Sequence, residues 1–222
     1  MDYPSKLGNF LRRSTRPIIH RFRDTRRLKA IDEDVKRILP LLTDEKFSLD
    51  DVVIDLGANR GDFSIWGLNK GAFVIAVEPH GPAFNYFTHR TRRESNLVRL
   101  QAAVSNKNEV VNVLVHPNAY QDQLGFSIRA SIRGDKADFI PYSRSLSLDF
   151  KVLIESLSKV KCLKVDIEGS ESEIWESIAE NASKIEYLLM EVHDSMNPML
   201  RNVINTFILN NNLKDRWTAN WV

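Results

Sequence analysis

Apolar positions follow two rhythms along most of this chain: short β-branched runs, and longer stretches in which they recur at helical spacing. Runs at 52–56, 72–78, 97–104, 110–115, 160–165 and 185–192 predict strands, with 142–148 and 213–222 as further extended pieces. Between them, 62–70, 82–95, 149–159, the stretch leading to Ala182, and 199–209 predict helices, and Gly71 is placed to cap the first of these. Strand alternating with helix predicts an α/β fold whose doubly wound, mostly parallel sheet is covered on both faces. Upstream, Leu28, Ile31, Val35, Ile38, Leu39 and Leu42 form a helical stripe that begins at an Asp24 or Thr25 cap and is kinked or ended by Pro40. This helix is expected to pack on the sheet and roof its ligand crevice.

Two stretches fall outside the rhythm. Residues 116–141 hold His116-Pro117, Gly125, Gly134 and Pro141 among mixed charges. Loops of that length inside a compact domain are usually functional or disordered, so this one is read as an acceptor-side lid. Residues 1–23 scatter Phe10, Leu11, Ile18, Ile19 and Phe22 among arginines, with Pro17 interrupting any helix. The remaining 24–222 is read as one domain.

Charge sharpens the reading of the arm. The whole chain of 222 residues carries only +2, yet residues 1–30 hold nine Lys/Arg against Asp2 and Asp24. The bland reading of 1–23 is a solvated arm, and the sharper one is a basic-apolar segment lying against an anionic membrane surface. Nucleic acid has less weight as a partner, since no basic, aromatic-studded face follows downstream. Cys162 is the only cysteine, which excludes an intrachain disulfide and a cysteine-based metal site. No stretch approaches the ~20 uninterrupted apolar residues of a membrane span, and the start lacks the apolar segment of a secretory signal, so a cytoplasmic location is the default.

The chemistry concentrates where predicted strands end. After the first comes Asp55-Leu56-Gly57-Ala58-Asn59-Arg60-Gly61-Asp62, a side-chain-poor turn that points the free N–H groups of the next helix at an anionic ligand. A dinucleotide loop would need glycine at Asn59 and Asp62 as well as at Gly57, and fails at two of three positions. The alternative spacing, acid-x-Gly-x-x-x-Gly, is met by Asp55, Gly57 and Gly61. The second strand ends in Glu78-Pro79, twenty-one residues past Gly57, where an acid can accept from both hydroxyls of a ribose. The apolar strand at 160–165 ends in Asp166-Ile167-Glu168-Gly169-Ser170-Glu171, and that at 185–192 in Glu191-Val192-His193-Asp194.

Together with Lys164-Val165 and Leu148-Asp149, these strings over about 52–194 resemble the FkbM family of class I methyltransferases. The resemblance implies S-adenosylmethionine as methyl donor and, usually, an O-methyl product on the hydroxyl of a saccharide, glycolipid or related small molecule. It also implies that Ala103 and Val104, at the tip of the third strand, border the adenine. Asp55 and Asp166 are then expected to favour the donor's cationic end, the Gly57, Ala58, Asn59 and Gly61 backbone to take its carboxylate, and Glu78 with Pro79 to hold the ribose. A hydroxyl acceptor must lose a proton. The candidate bases are His193 first and Glu168 second, with Glu191 as an orienting group. Glu168 and Glu171 also suit a helix start through the dipole alone. Asp166, Glu168, Asp194 and His193 are a conceivable divalent-metal set, but their spacing does not demand one and no metal is assigned. Two other functions compete: an RNA methyltransferase, although an Asn-Pro-Pro-Tyr-type motif is missing, and a non-catalytic nucleoside-binding module. One departure from the family pattern concerns the end of the chain, where only one further strand fits after the last helix. A homodimer would cover the sheet edge this leaves.

Overall fold

The computed structural model describes residues 25–115, 130–132, 139–193 and 197–221. The arm assigned to 1–23, most of the 116–141 lid, and Asp194 lie outside them. In chain order the elements are α1 (Thr25–Ile38), α2 (Pro40–Asp44), β1 (Val52–Leu56), α3 (Asp62–Lys70), β2 (Phe73–Val77), α4 (Gly81–Arg90), β3 (Leu97–Leu100), β4 (Ala103–Ser105), β5 (Glu109–Val115), β6 (Ala130–Ser131), β7 (Ile140–Asp149), α5 (Phe150–Glu155), β8 (Val160–Val165), α6 (Glu171–Glu180), β9 (Ile185–Met190), α7 (Leu200–Asn210) and β10 (Trp217–Thr218).

The main sheet has six strands in the order β10-β9-β8-β1-β2-β3, and every pairing in it is parallel. From β1 the chain winds outward through β2 to β3, then returns to lay β8, β9 and β10 on the other side of β1. The winding therefore reverses between β1 and β8. Ligands of such sheets sit in the crevice beyond the strand carboxyl ends at that point.

Side chains alternate across the sheet with the two-residue period of a strand. Ile54, Leu163 and Leu188 enter one core with Phe150 and Ile154 of α5, Ile174 and Ile178 of α6, and Ile204 and Ile208 of α7. Their neighbours Val53, Cys162 and Leu189 enter the other with Val35 of α1, Phe63 and Trp66 of α3, and Phe87 of α4. Cys162 is wholly buried, and burial pushes its thiol up, out of reach of ordinary thiolate chemistry. Trp66 Nε1 donates to Asp32 of α1 at 3.2 Å, so the N-terminal helix is fastened onto α3.

Two expectations need correcting. The apolar run 97–104 is not one strand: it breaks at Gln101–Ala102, and β4 leaves the main sheet for a second one of order β4-β7-β5-β6. In that sheet β7 runs parallel to β4 and antiparallel to β5. The alternation of an apolar run shows its faces but not the partner its edges choose. At the other edge, the closing strand is two residues long and parallel to β9, with a single antiparallel bridge between Glu191 and Asn220 beyond it.

Candidate active site

The turn after β1 is shaped by what the protein packs against it. Gly57 has φ +74°, and a Cβ there would lie 1.8 Å from the backbone oxygen of Asp166. Gly61 has φ +77°, and a Cβ there would meet the Phe87 ring at 1.9 Å. Both glycines are thus required by contacts within the fold, the first letting the β1 and β8 tips touch, and not chiefly by the approach of a ligand. The turn is tied to β2 by the N–H groups of Gly57 and Ala58, both donating to Val77 O at 2.9 Å.

A cavity opens over the strand tips. Its wall includes Gly57, Asn59, Glu78, Pro79, Ala103, Val104, Asp166 and Glu168 from the sequence reading. Val77, Ala102, Ile132 and Ile167, which that reading did not single out, also line it. Glu78 is nearly buried, and its two carboxylate oxygens accept from the N–H groups of Asn59 and His80, each at 2.7 Å. Burial raises its pKa to about 7, against the pull of those two N–H groups and of Lys164. The side-chain oxygen of Asn59 is buried on the lip of the cavity without a hydrogen-bond partner among the described residues. An acceptor so placed calls for a donor from a bound molecule.

A second hollow lies across the turn. Gly57, Asn59 and Asp166 belong to both, while Ala58, Asp62, Phe63 and Lys164, together with Arg27 of α1 and Trp221, line only the second. Asp62 receives Arg27 at 3.2 Å and Arg90 at 2.5 Å. The N-terminal helix therefore walls this second hollow.

Asp55 behaves differently from its expected role. It is completely buried, accepts from Ser64 Oγ at 2.6 Å, faces the Lys164 ammonium at 3.4 Å, and lines neither hollow. The expectation that Asp55, Glu78 and Asp166 share one ligand pocket holds only for the last two. Lys164, to which the sequence pattern assigns no task, is the reason. It lies directly across from Asp55 in the β1–β8 register and also approaches Asp166 at 3.3 Å and the Leu56 and Gly57 carbonyls at 3.3 and 2.8 Å. Burial works against its charge, but Asp166 and Asp55 prevail and hold the pKa up at about 12. Gly61, too, reaches neither hollow, because Phe87 covers it.

The remaining predicted residues gather beside Asp166. His193 Nε2 lies 3.4 Å from Glu168 and 3.6 Å from Glu191, while Nδ1 lies 2.9 Å from Glu171 Oε1. His193 and Glu191 do not line the first cavity, whereas Glu168, 3.4 Å from His193 Nε2, does. Burial alone would lower the His193 pKa, but the Glu171 hydrogen bond and the charges of Glu171, Glu168 and Glu191 raise it above the ordinary value. Glu191 is itself raised, by burial and then by Asp166. Ligand atoms of Asp166, Glu191 and His193 fall within 4.8 Å of one another, and such donors suit Mg²⁺ or Mn²⁺. Against a metal there, Lys164 already supplies a positive charge to Asp166, and a divalent ion would compete with it.

A doubly wound sheet with a polar turn at its switch point and an acid at the next strand tip defines an α/β protein with a ligand crevice beyond its strand ends. Residues 55–214 match the methyltransferase FkbM domain, and the chain belongs to that family of methyltransferases. It is 25% identical over 181 residues to the hexuronic acid methyltransferase AglP of Haloferax volcanii, covering 81% of this chain and 68% of the relative. Among solved structures, the methyltransferase FkbM of Methylobacillus flagellatus overlaps at a TM-score of 0.47 and 15% identity, over 74% of this chain and 38% of that one. A putative RNA methyltransferase of Pyrococcus horikoshii overlaps at 0.41 and 13%, over 81% and 68%. No helix among the described residues is long and apolar enough to cross a membrane.

Proposed function

We propose that this methyltransferase uses S-adenosylmethionine and methylates a hydroxyl of a saccharide or a related glycan. The observation that carries the donor assignment is the buried Glu78 carboxylate beside the small apolar wall of Ala102, Ala103 and Val104, with the unsatisfied Asn59 oxygen at the lip. Glu78 would accept from the ribose hydroxyls, the small wall would admit a flat base, and the second hollow would receive the amino-acid end, with Asp166 near its cationic groups. The donor brings an electrophilic methyl group on a sulfonium.

On the acceptor side, Glu168 and Glu191 can only accept hydrogen bonds when ionised, which suits the hydroxyl groups of a saccharide. His193 is the proposed base. As the hydroxyl oxygen bonds to the methyl carbon, the carbon–sulfur pair leaves with sulfur and the hydroxyl proton passes to Nε2. Holding the two reacting atoms in line supplies much of the remaining acceleration. The Haloferax relative, a hexuronic acid methyltransferase, supports a sugar acid as the first acceptor to try.

Calorimetry with S-adenosylmethionine tests the donor site. The folded protein is expected to bind it, and His193→Ala to bind equally well while turnover on a uronate-containing saccharide falls by about 10²–10⁴-fold. Absence of binding by folded protein would reject the donor assignment, and undiminished turnover by His193→Ala would reject the base.

A further inference from the structure

Glu171 has none of the tasks described so far, and its position does not fit the plain explanation for an acid at a helix start. It is the first residue of α6, only 1% exposed, where the dipole alone favours a carboxylate. Its hydrogen bonds, however, run backward and sideways, away from its own helix. The single oxygen Oε1 receives Gly169 N–H at 3.1 Å and Ile167 N–H at 3.3 Å, and lies 2.9 Å from His193 Nδ1.

The turn it holds is an unusual one. Glu168 has φ +54° and Gly169 φ +110°, so two successive residues are left-handed and the first of them is not glycine. Such a conformation persists only when its surroundings impose it. Ser131 Oγ of β6 donates to Glu168 O at 2.8 Å.

We propose that Glu171 is the positioning residue of the acceptor side, one buried carboxylate oxygen that fixes both the left-handed turn presenting Glu168 and the tautomer of the His193 imidazole. With Nδ1–H given to Glu171, the Nε2 lone pair faces outward between Glu168 and Glu191, where an incoming hydroxyl can deliver its proton. The other tautomer would present N–H there, and a ring turned over about χ2 would present C–H, so neither could accept. The inference rests on the reading of His193 as the base, but its physical content does not depend on the donor.

Among the described residues, the groups facing this imidazole are Glu171 from α6, Glu168 from the turn after β8, Glu191 from the end of β9, and Asp166 within 4.8 Å, itself paired with Lys164. Removing the Glu171 charge therefore leaves three carboxylates among the described residues and should lower the titration midpoint without abolishing titration.

The test is nitrogen-15 NMR of the histidine rings in the full chain without donor or acceptor, with the His193 signals assigned by their loss in His193→Gln. Neutral His193 is expected as the Nδ1–H tautomer. In Glu171→Gln, which keeps an oxygen for the Gly169 and Ile167 N–H groups, its midpoint is expected to fall by about 1 pH unit or more. The acid limb of kcat should move down by the same amount, with donor affinity unchanged. A neutral Nε2–H tautomer in the wild-type protein would overturn the proposal, whether or not the variant folds. So would an unchanged His193 midpoint in folded Glu171→Gln. Because the NMR readout needs no methyl donor, failure of donor binding would reject the donor assignment and leave this inference to be judged separately.

Discussion

Strand β8 carries two buried lysines three residues apart, and they are paired in different ways. Lys161, in the first half of the strand, meets Glu186 at 2.7 Å and Glu45 at 3.0 Å, with the Phe47 and Tyr187 rings beside its ammonium. Lys164, at the carboxyl end, meets its two carboxylates at 3.4 and 3.3 Å and spends its shortest contact on the Gly57 carbonyl. The first has short ion pairs to acids that reach water. The second is a spacer: it holds the β1 and β8 tips together, removes Asp55 from the ligand's reach, and leaves Asp166 partly open to the crevice. A buried lysine therefore has no fixed meaning on its own, and the burial of its partners decides what it does.

The largest effect expected from that contrast is in Lys164→Met. Asp55 is 0% exposed and would be left with an unopposed charge, a loss of the kind that costs about 3–5 kcal/mol. Urea unfolding measures it. Adding Asp55→Asn should recover a large part of the loss, because the two changes act on one pair and are not additive. Equal stability of wild type and Lys164→Met would show that the pairing is incidental.

Much of this arrangement could be read from the chain, and what could not shares one physical cause. The β1–turn–α3 unit, the Glu78 tip and the clustering of acids after β8 and β9 follow from local pattern, since alternation and glycine spacing report on neighbours in sequence. Asp55 was assigned to a ligand because its strand-end position is visible and its partner is not. Parallel register sets Asp55 opposite Lys164, and register between distant strands leaves no mark in either one. A signal was nonetheless present: lysines at 161 and 164 inside an otherwise apolar run must find partners if that run is a central strand. No comparable signal announced the His193–Glu171 contact or the departure of β4 into the second sheet.

Glu78 supplies the next effect, on the ligand side of the comparison. Its pKa near 7 belongs to a carboxylate that burial disfavours and two N–H groups only partly rescue. Ribose hydroxyls would hydrogen-bond the ionised form, so donor binding should expel a proton at lower pH. Apparent affinity for S-adenosylmethionine is then expected to be flat above pH 7 and to fall by up to about tenfold per pH unit below it. The sign is opposite for folding: the raised folded pKa means that Glu78 lowers stability progressively between its unfolded value and 7, with the full penalty above. Calorimetry from pH 5.5 to 8.5 measures the binding limb, and Glu78→Gln should bind more weakly and lose the pH dependence. A wild-type affinity independent of pH would separate Glu78 from the donor.

The smallest effect belongs to the other lysine. Glu45 and Glu186 keep 35% and 22% of their side chains exposed, so each can be hydrated when its partner is removed, and Met can still pack on Phe47 and Tyr187. Ion pairs with such access to water contribute little, and Lys161→Met is expected to cost about 1 kcal/mol in urea unfolding, several-fold less than Lys164→Met, with donor affinity unchanged. Raising the salt to 1 M should narrow the gap between wild type and Lys161→Met, because exposed carboxylates are screened, while leaving the Lys164→Met deficit nearly intact. If the two variants were equally destabilised and equally salt-sensitive, the distinction drawn between the two ends of β8 would collapse, and Lys164 would have to be regarded as a second structural ion pair with no particular hold on the crevice.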